Sequence, residues 1–487
     1  QYNTALGAEA LTNNTTASSN TAVGYQSLYT NTTGASLSAV GVGALYANTT
    51  GSNNVAMGTS SLVSNTTGAS NTGLGRDALR SNTTASNNTA VGHQAAYNNT
   101  TGTENTTLGR VSLLTNTTGN ENTAIGSVAL YYNTTGSNNV AVGRQALNNN
   151  TTASNNTAVG FQALLANTTG TANTAIGRNS LQANTTADDN TASGMYSLYT
   201  NTTGASNTAH GRSALFSNTT GSSNVSVGVQ ALENNTTAGN NVAVGYQAGF
   251  SNTTGAQNTM LGNTAGRSAT TGSYSTFLGR DSGYYITTGT KNVILGSYNG
   301  NQGSLDIRTS NSNIVLSDGD GNPRIHVDSN GKTFVGPENT NNATFHVHSL
   351  SNYWTAILYN LSNSDVTNVL CRHHWATGSN TATQISFRQS NGNEVGSIKS
   401  NGSSTSYNTS SDYRLKENVD YTWDATTRLK QLKPARFNFI ADGADTTVDG
   451  FLAHEAQAVV PECVTGAKDA VDADGNAVMQ GIDQSKL

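Results

Sequence analysis

Over the first three hundred residues, hydrophobic and polar positions recur with a period of seventeen. The glycine of the motif NTAVG stands at Gly7, Gly24, Gly41 and Gly58 and so on to Gly296, eighteen times without an insertion or deletion. Such strict spacing marks stacked coils, one repeat to each coil. Two before the glycine the residue is small in the first fifteen repeats, as at Ala22, Ala90 and Ala243, and one before it is aliphatic in nearly every repeat. Three before stands Thr, Val or Ser, so the triplet predicts a short strand. Three after the glycine comes Ala or Ser, and four after it usually Leu, as at Leu11, Leu28 and Leu45. These columns, the aliphatic one included, are expected to form a thin continuous core. Positions one and five after the glycine vary freely and are expected to face outward.

Two Asn columns flank the strands. One runs through Asn20, Asn54 and Asn71 with a gap at Leu37, the other through Asn31, Asn48 and Asn65. Both are placed to stack as amide ladders from coil to coil. Gly or Ala follows each NTT, where the chain must turn. The pattern predicts an all-β protein dominated by a parallel β-solenoid, or β-roll, of seventeen-residue coils. At ~4.8 Å per stacked strand it makes a rod on the order of 85 Å long. A coil with only about three or four apolar side chains gains little against the entropy of ordering it. Several chains side by side are therefore expected, most simply three about an axis. Each NTT is formally a glycosylation sequon, as at Asn31 with Thr33, but the ladder already accounts for Asn and Thr there. Rows of Thr also raise ice binding, for which ladder formation is again the plainer account.

Beyond Gly296 the seventeen-residue register ends. Strands separated by polar turns are predicted: NIVL at 313–316, RIHV at 324–327, then FHVH, TAILY, QISF and VGSI. The turns DGDGN and SNGK are hairpin signals. DGDGN invites a calcium reading, but Pro323 follows where an EF-hand loop would continue and no Glu closes it, which favours a plain turn. His346 and His348 share one face of a predicted strand. In a trimer they would offer six imidazoles to an axial metal, although core or surface histidines are the simpler expectation. Cys371, His373 and His374 cluster locally, but adjacent histidines point to opposite faces of a strand.

Composition adds boundaries. Only one residue in ten is charged, the net charge is -5 and no basic cluster occurs, which argues against nucleic acid as a partner. No apolar run approaches the ~20 residues of a membrane span, so no membrane insertion is expected. Two cysteines far apart do not make a disulfide framework. Gln1 opens in mid-pattern, so the chain is expected to be a fragment, and the closing Ser485, Lys486 and Leu487 are expected to mark a truncation rather than a peroxisomal address. From residue 411 onward the composition shifts, with 21 charged residues in the last 77 against 30 in everything before. The expected organisation is a solenoid shaft over 1–298, a β-hairpin transition over 299–340, a β-rich distal segment over 341–410 and a smaller α+β domain over 411–487.

Three resemblances sharpen this reading. NNVAVGYQA at 240–248 resembles the head repeat of trimeric autotransporter adhesins, which implies a trimeric β-roll over residues 3–296. The hairpin-rich middle is similar to the shaft and knob segments of phage tail fibres. SDYRLKEN, with LKPARFNF at 432–439 and GFLAHEAQAVVPECV at 450–464, resembles the endosialidase-type intramolecular chaperone, a self-cleaving C-terminal module. This sequence has His454 where that family usually has Gln, and it stops at Leu487 where the family continues into a long helix.

The chaperone resemblance implies cleavage between Ser410 and Ser411, with Ser411 as nucleophile and Lys416 as its base. A lysine serves as a base when burial or a neighbouring cation such as Arg414 lowers its pKa. From spacing alone the same stretch is a solvated charge run at a domain boundary. Together these features predict a homotrimeric phage tail fibre or host-recognition protein of the virion, with phage tail proteins and a host cell-surface glycan or protein as partners and no cofactor. Its enzymatic activity would be one self-processing cut in cis. Receptor contact is expected at outward aromatics such as Tyr25, Tyr46 and Tyr97 or in segment 340–400. A trimeric adhesin on a bacterial cell surface and a polysaccharide-degrading tail spike are the alternatives. The second wants a carboxylate pair that the region before Ser411 does not display.

Overall fold

The computed structural model describes residues 2–335, 382–388, 394–400, 405–409, 417–438, 447–471 and 477–483. The chain divides into two compact units, Gln1–His346 and Val347–Leu487. The first is a parallel β-solenoid. Eighteen three-residue strands, from Thr4–Leu6 to Val293–Leu295, each end at the residue before a repeat glycine. Neighbouring strands pair in parallel at an offset of seventeen residues, as Thr123↔Val140 and Ala124↔Ala141 do. Turn segments also bond to the next coil: Leu28 N–H donates to Ala44 O, sixteen residues on, at 3.0 Å and Thr32 N–H to Thr49 O, seventeen residues on, at 3.0 Å. Backbone polar groups are thus satisfied by the next coil around much of the circuit.

The repeat glycine is required twice over. Gly126 has φ +129°, a left-handed conformation open to glycine, and a Cβ there would lie 2.6 Å from the Gly143 carbonyl oxygen. The Leu column also adopts positive φ, for example 52° at Leu28, although Leu has no natural preference for it. Left-handed backbone costs such a residue ~1–2 kcal/mol. Full burial of a leucine side chain returns ~1.5–3 kcal/mol, which is enough to hold it there. Leu28, Leu45 and Leu62 are completely buried.

Inside the coil, the small residue two before the glycine faces the Leu column and the Ala or Ser three after the glycine. The apolar core is interrupted at the sixth and seventh coils, where Ala96 replaces Leu and the polar Thr107 replaces Ala. Towards residue 300 the sizes exchange. Gly249, Gly266 and Gly283 take the Leu column while Met260, Phe277 and Ile294 take the Ala column. A Cβ at Gly266 would approach the Met260 sulfur at 2.7 Å and the Phe277 ring at 2.8 Å. The exchange keeps the enclosed volume filled.

The aliphatic column one before the glycine does not join this core. A strand sends alternate side chains to opposite faces. With the central Ala inside, both flanking residues point outward: Thr21, Ala22 and Val23 are exposed, buried and half-buried. Leu108 and Ile176 of the aliphatic column are 49% and 44% exposed. The expected core column is therefore an outward aliphatic stripe.

The parallel stack also runs past residue 298. Ile314–Ser317 pairs in parallel with Val293–Leu295 at an offset of twenty-one residues, which makes one further, longer coil. The extra residues form a small hairpin, Asn301–Gln302 with Leu305–Asp306. Pro323–Val327 and Thr333–Val335 then add antiparallel strands to the end of the sheet.

In the second unit, Ala382–Arg388, Glu394–Ser400 and Thr405–Thr409 form an antiparallel three-stranded sheet. Beyond it come two short helices, α1 (Ala425–Leu429) and α2 (Ala453–Val459), and the hairpin pairing of Ala435–Phe437 with Val448–Gly450. A small core of Ala456, Val460, Cys463 and Val464, with Leu432, Phe451 and Ile482 against it, holds this part together. No helix among the described residues is long and apolar enough to cross a membrane.

Candidate functional site

The two Asn columns do different work. Along the column of Asn31, each Nδ2 donates to the Oδ1 of the preceding coil, as in Asn48 to Asn31 at 2.9 Å and Asn116 to Asn99 at 2.7 Å. The same amide closes its own turn, Asn116 Nδ2 to Gly119 O at 2.9 Å. This ladder stops at Ala269, and the buried Oδ1 of Asn252 accepts no hydrogen bond from the described residues. Along the column of Asn20 the side chain chiefly clamps backbone. Asn122 Oδ1 accepts from Asn139 N–H at 3.1 Å, and Asn122 Nδ2 donates to Gly136 O at 2.9 Å. Even the gap keeps half of this arrangement, since Leu37 N–H reaches Asn20 Oδ1 at 3.0 Å. The first Thr of NTT gives its hydroxyl to the next coil, Thr32 Oγ1 to Thr49 O at 3.0 Å, while Thr33 is exposed.

Of the outward aromatics, Tyr25 is 49% exposed, whereas Tyr46 and Tyr97 are half-buried. The column five after the glycine stacks along the solenoid. Tyr29 and Tyr46 lie parallel with ring centroids 5.2 Å apart, and Arg80 sits 5.6 Å over the Tyr97 ring. Flat rings in the outer layer give a platform for a ligand's apolar face.

The DGDGN segment is a self-satisfied turn. Asp318 accepts from the backbone N–H of Asn322 at 2.8 Å and Asp320 at 3.1 Å, and from Arg324 Nε at 3.0 Å. The Asn322 N–H foremost, with Arg324 assisting, holds its carboxyl down at about 2. A carboxylate committed to donors in this way has little left for a cation, and no cluster of His, Cys, Asp or Glu able to hold a metal occurs among the described residues.

Ser410, Ser411, Lys416, Arg414, His346, His348, Cys371, His373 and His374 all lie outside the described residues. What is described is the segment from residue 417 onward. Asp424 caps α1 by accepting from Thr427 N–H at 3.0 Å. From α1, Arg428 reaches Val459 O at 2.8 Å and both oxygens of Glu462 at 2.8 and 3.0 Å, with its guanidinium 5.6 Å over Trp423. Arg436 and Asp449 make a bidentate pair across the hairpin at 2.7 and 3.0 Å. Thus LKPARFNF supplies a hairpin strand and GFLAHEAQAVVPECV supplies α2 and the turn that Arg428 grips.

A family model described as the chaperone of endosialidase matches residues 411–465. The chain carries that chaperone segment. No curated protein and no solved structure matches the chain. The match begins at Ser411 and ends at Thr465, just past the buried Cys463 and Val464.

One group of residues that sequence reasoning missed lies where the twenty-one-residue coil begins. Arg280, Asp281, Tyr284, Tyr285, Asn299 and Asp320 line a cleft of about 450 Å³. The signals available in the sequence were the doubled tyrosine and the loss of register after Gly296.

Proposed function

We propose that this chain is part of a homotrimeric phage tail fibre, a virion attachment protein whose solenoid shaft is aligned by a C-terminal chaperone that then removes itself. The observation that carries this reading is the chaperone match at residues 411–465, following a solenoid of uniform coils. A seventeen-residue repeat offers many wrong registers between chains, each shifted by whole coils. A terminal module that associates first would choose among them, and its removal would leave a rod that unfolds slowly. The outward aliphatic stripe supports self-association, because it leaves a row of half-exposed side chains along the sheet that two further copies would cover.

In the proposed cut, Lys416 takes the proton of the Ser411 hydroxyl, and Oγ attacks the carbonyl carbon of Ser410. The Ser411 nitrogen leaves with a proton, giving an ester between Ser410 and the Ser411 side chain. Water then hydrolyses the ester to a carboxylate on Ser410 and restores the Ser411 hydroxyl. Attachment to a host cell-surface glycan or protein, and to other tail proteins, completes the reading.

The test is denaturing electrophoresis of the wild-type chain beside Ser411→Ala and Lys416→Ala. The expected result is a cut after Ser410 in the wild type alone. A wild type that stays whole, or both variants still cut there, would sink the dyad.

A further inference from the structure

We infer that the cleft at the end of the regular solenoid binds a neutral saccharide. Regular coils present an even outer surface, because each repeats the one before. The four extra residues between Val293–Leu295 and Ile314–Ser317 break that evenness. The loop after Gly296 and the 318–322 turn now face the last seventeen-residue coil, and the concavity of about 450 Å³ lies between them. That volume falls in the ~300–1,000 Å³ range of small-molecule sites.

Its walls carry sugar-binding chemistry. Tyr284 and Tyr285 meet edge to face, with ring centroids 4.8 Å apart and planes at 75°. Tyr284 is held in place by Arg267, whose guanidinium lies 5.4 Å over the ring and whose Nη1 donates to the phenol oxygen at 3.1 Å. Tyr285, 49% exposed, leaves ring surface for the C–H face of a pyranose. Asp281 is fixed by the Thr264 hydroxyl and by Arg280 Nε at 2.9 Å. The Asp320 carboxylate accepts no hydrogen bond from the described residues, and the Asn299 side-chain amide donates none to them. Fixed carboxylates accept sugar hydroxyl protons, and a free amide donates to sugar oxygens.

The charge selects within this class. Among the side chains that line the cleft, two carboxylates, Asp281 and Asp320, outnumber one guanidinium, Arg280. The remaining negative charge repels sialic and uronic acids, whereas neutral hexoses and hexosamides are unaffected.

This inference rests on the reading of the chain as an attachment protein. The test applies the full chain to a printed array of neutral oligosaccharides and sialylated counterparts, with Tyr285→Ala, Asp320→Asn and, as a control at a distant exposed side chain, Val42→Ala. Retention of a neutral oligosaccharide, weakened at least about tenfold by each cleft variant and unchanged by the control, is the expected outcome. Melting curves should be the same for the two cleft variants and the wild type, since both side chains are exposed. Retention of sialylated members alone, no retention, or neutral binding indifferent to both cleft variants overturns the site. Adhesion of the same proteins to a panel of bacterial cells separates the two ideas. Cells held equally by wild type and both cleft variants overturn the cleft and leave the attachment reading standing, whereas a wild type that holds no cells overturns that reading.

Discussion

Asn116 Nδ2 stands 2.7 Å from Asn99 Oδ1 in the coil before it, while its own Oδ1 accepts from Asn133 Nδ2 at 2.8 Å in the coil after. One buried amide is thus both donor and acceptor in a continuous row, and it also closes its own turn at Gly119 O. Replacing it by Ala deprives the buried Asn99 Oδ1 of its donor and one Asn133 amide proton of its acceptor, while Gly119 O keeps Asn105 Nδ2 at 2.9 Å. Asn116→Ala is expected to cost about 1–3 kcal/mol, read as a lower denaturant midpoint in equilibrium unfolding. An unchanged midpoint would mean that the ladder adds nothing to stability.

Two glycines seven residues apart should behave differently. Gly126→Ala imposes a Cβ on a left-handed backbone 2.6 Å from the next coil's carbonyl, and is expected to cost roughly 1–3 kcal/mol or more. A Cβ at Gly119 would come as close, 2.3 Å from the Gly136 carbonyl oxygen, but Gly119 has no left-handed φ and belongs to the column after NTT, where Ala85 and Ala153 are already accommodated. Gly119→Ala should therefore be the milder change, and melting temperatures in the same buffer would reverse that order only if the coil geometry were otherwise.

The turn at Asp318 makes a pH prediction. Its carboxyl is depressed to about 2, against ~3.9 in an unfolded chain. The stability it contributes is therefore fully present above the unfolded value and is lost as pH falls through the folded one. Hydrogen exchange at Asp320 and Asn322 N–H should accelerate as pH drops from about 4 towards 2, once corrected for intrinsic rates. Asp318→Ala should exchange fast throughout and show no such step.

In the chaperone segment, Arg428 joins α1 to the end of α2 and to Glu462. The pair is partly exposed, so its charge attraction is modest, and the contact to Val459 O and the Trp423 ring add to it. Arg428→Ala is expected to destabilise this segment by about 1 kcal/mol while leaving the solenoid's own transition where it was. Two-probe unfolding, with Trp423 fluorescence for the module and circular dichroism for the shaft, would detect a coupled shift if the expectation failed.

The proposed trimer predicts sensitivity on the aliphatic stripe. Leu108→Lys with Ile176→Lys adds two charges to outward positions that the single-chain fold leaves 49% and 44% exposed. Each chain should still fold, and sedimentation equilibrium should show the trimer mass falling to that of a monomer. A wild type that sediments as a monomer, or a double variant that stays trimeric, would remove the stripe from the interface.

Much of this was legible because it is local and periodic. The coil length, the strand triplet, the turn after NTT and the Asn columns each recur at a fixed offset, and parallel stacking at seventeen residues follows from that recurrence alone. The chaperone segment was legible for another reason, its ordered motifs from Ser411 to Val464, which the family match covers. Its Ser411 and Lys416 lie outside the described residues and rest on resemblance.

Which side chains face inward was a tertiary decision. A three-residue strand has one central position, and hydrophobicity alone would bury both Ala22 and Val23, whereas the narrow coil takes in only Ala22. Only the space left by Leu28 across the coil decides that Ala fits and Val does not. The same constraint lets Gly266 and Phe277 exchange sizes, and the cleft beside Tyr285 exists only because a longer coil is stacked on a regular one. The period determined the stack, and packing across it determined which side chains are left on the outer surface.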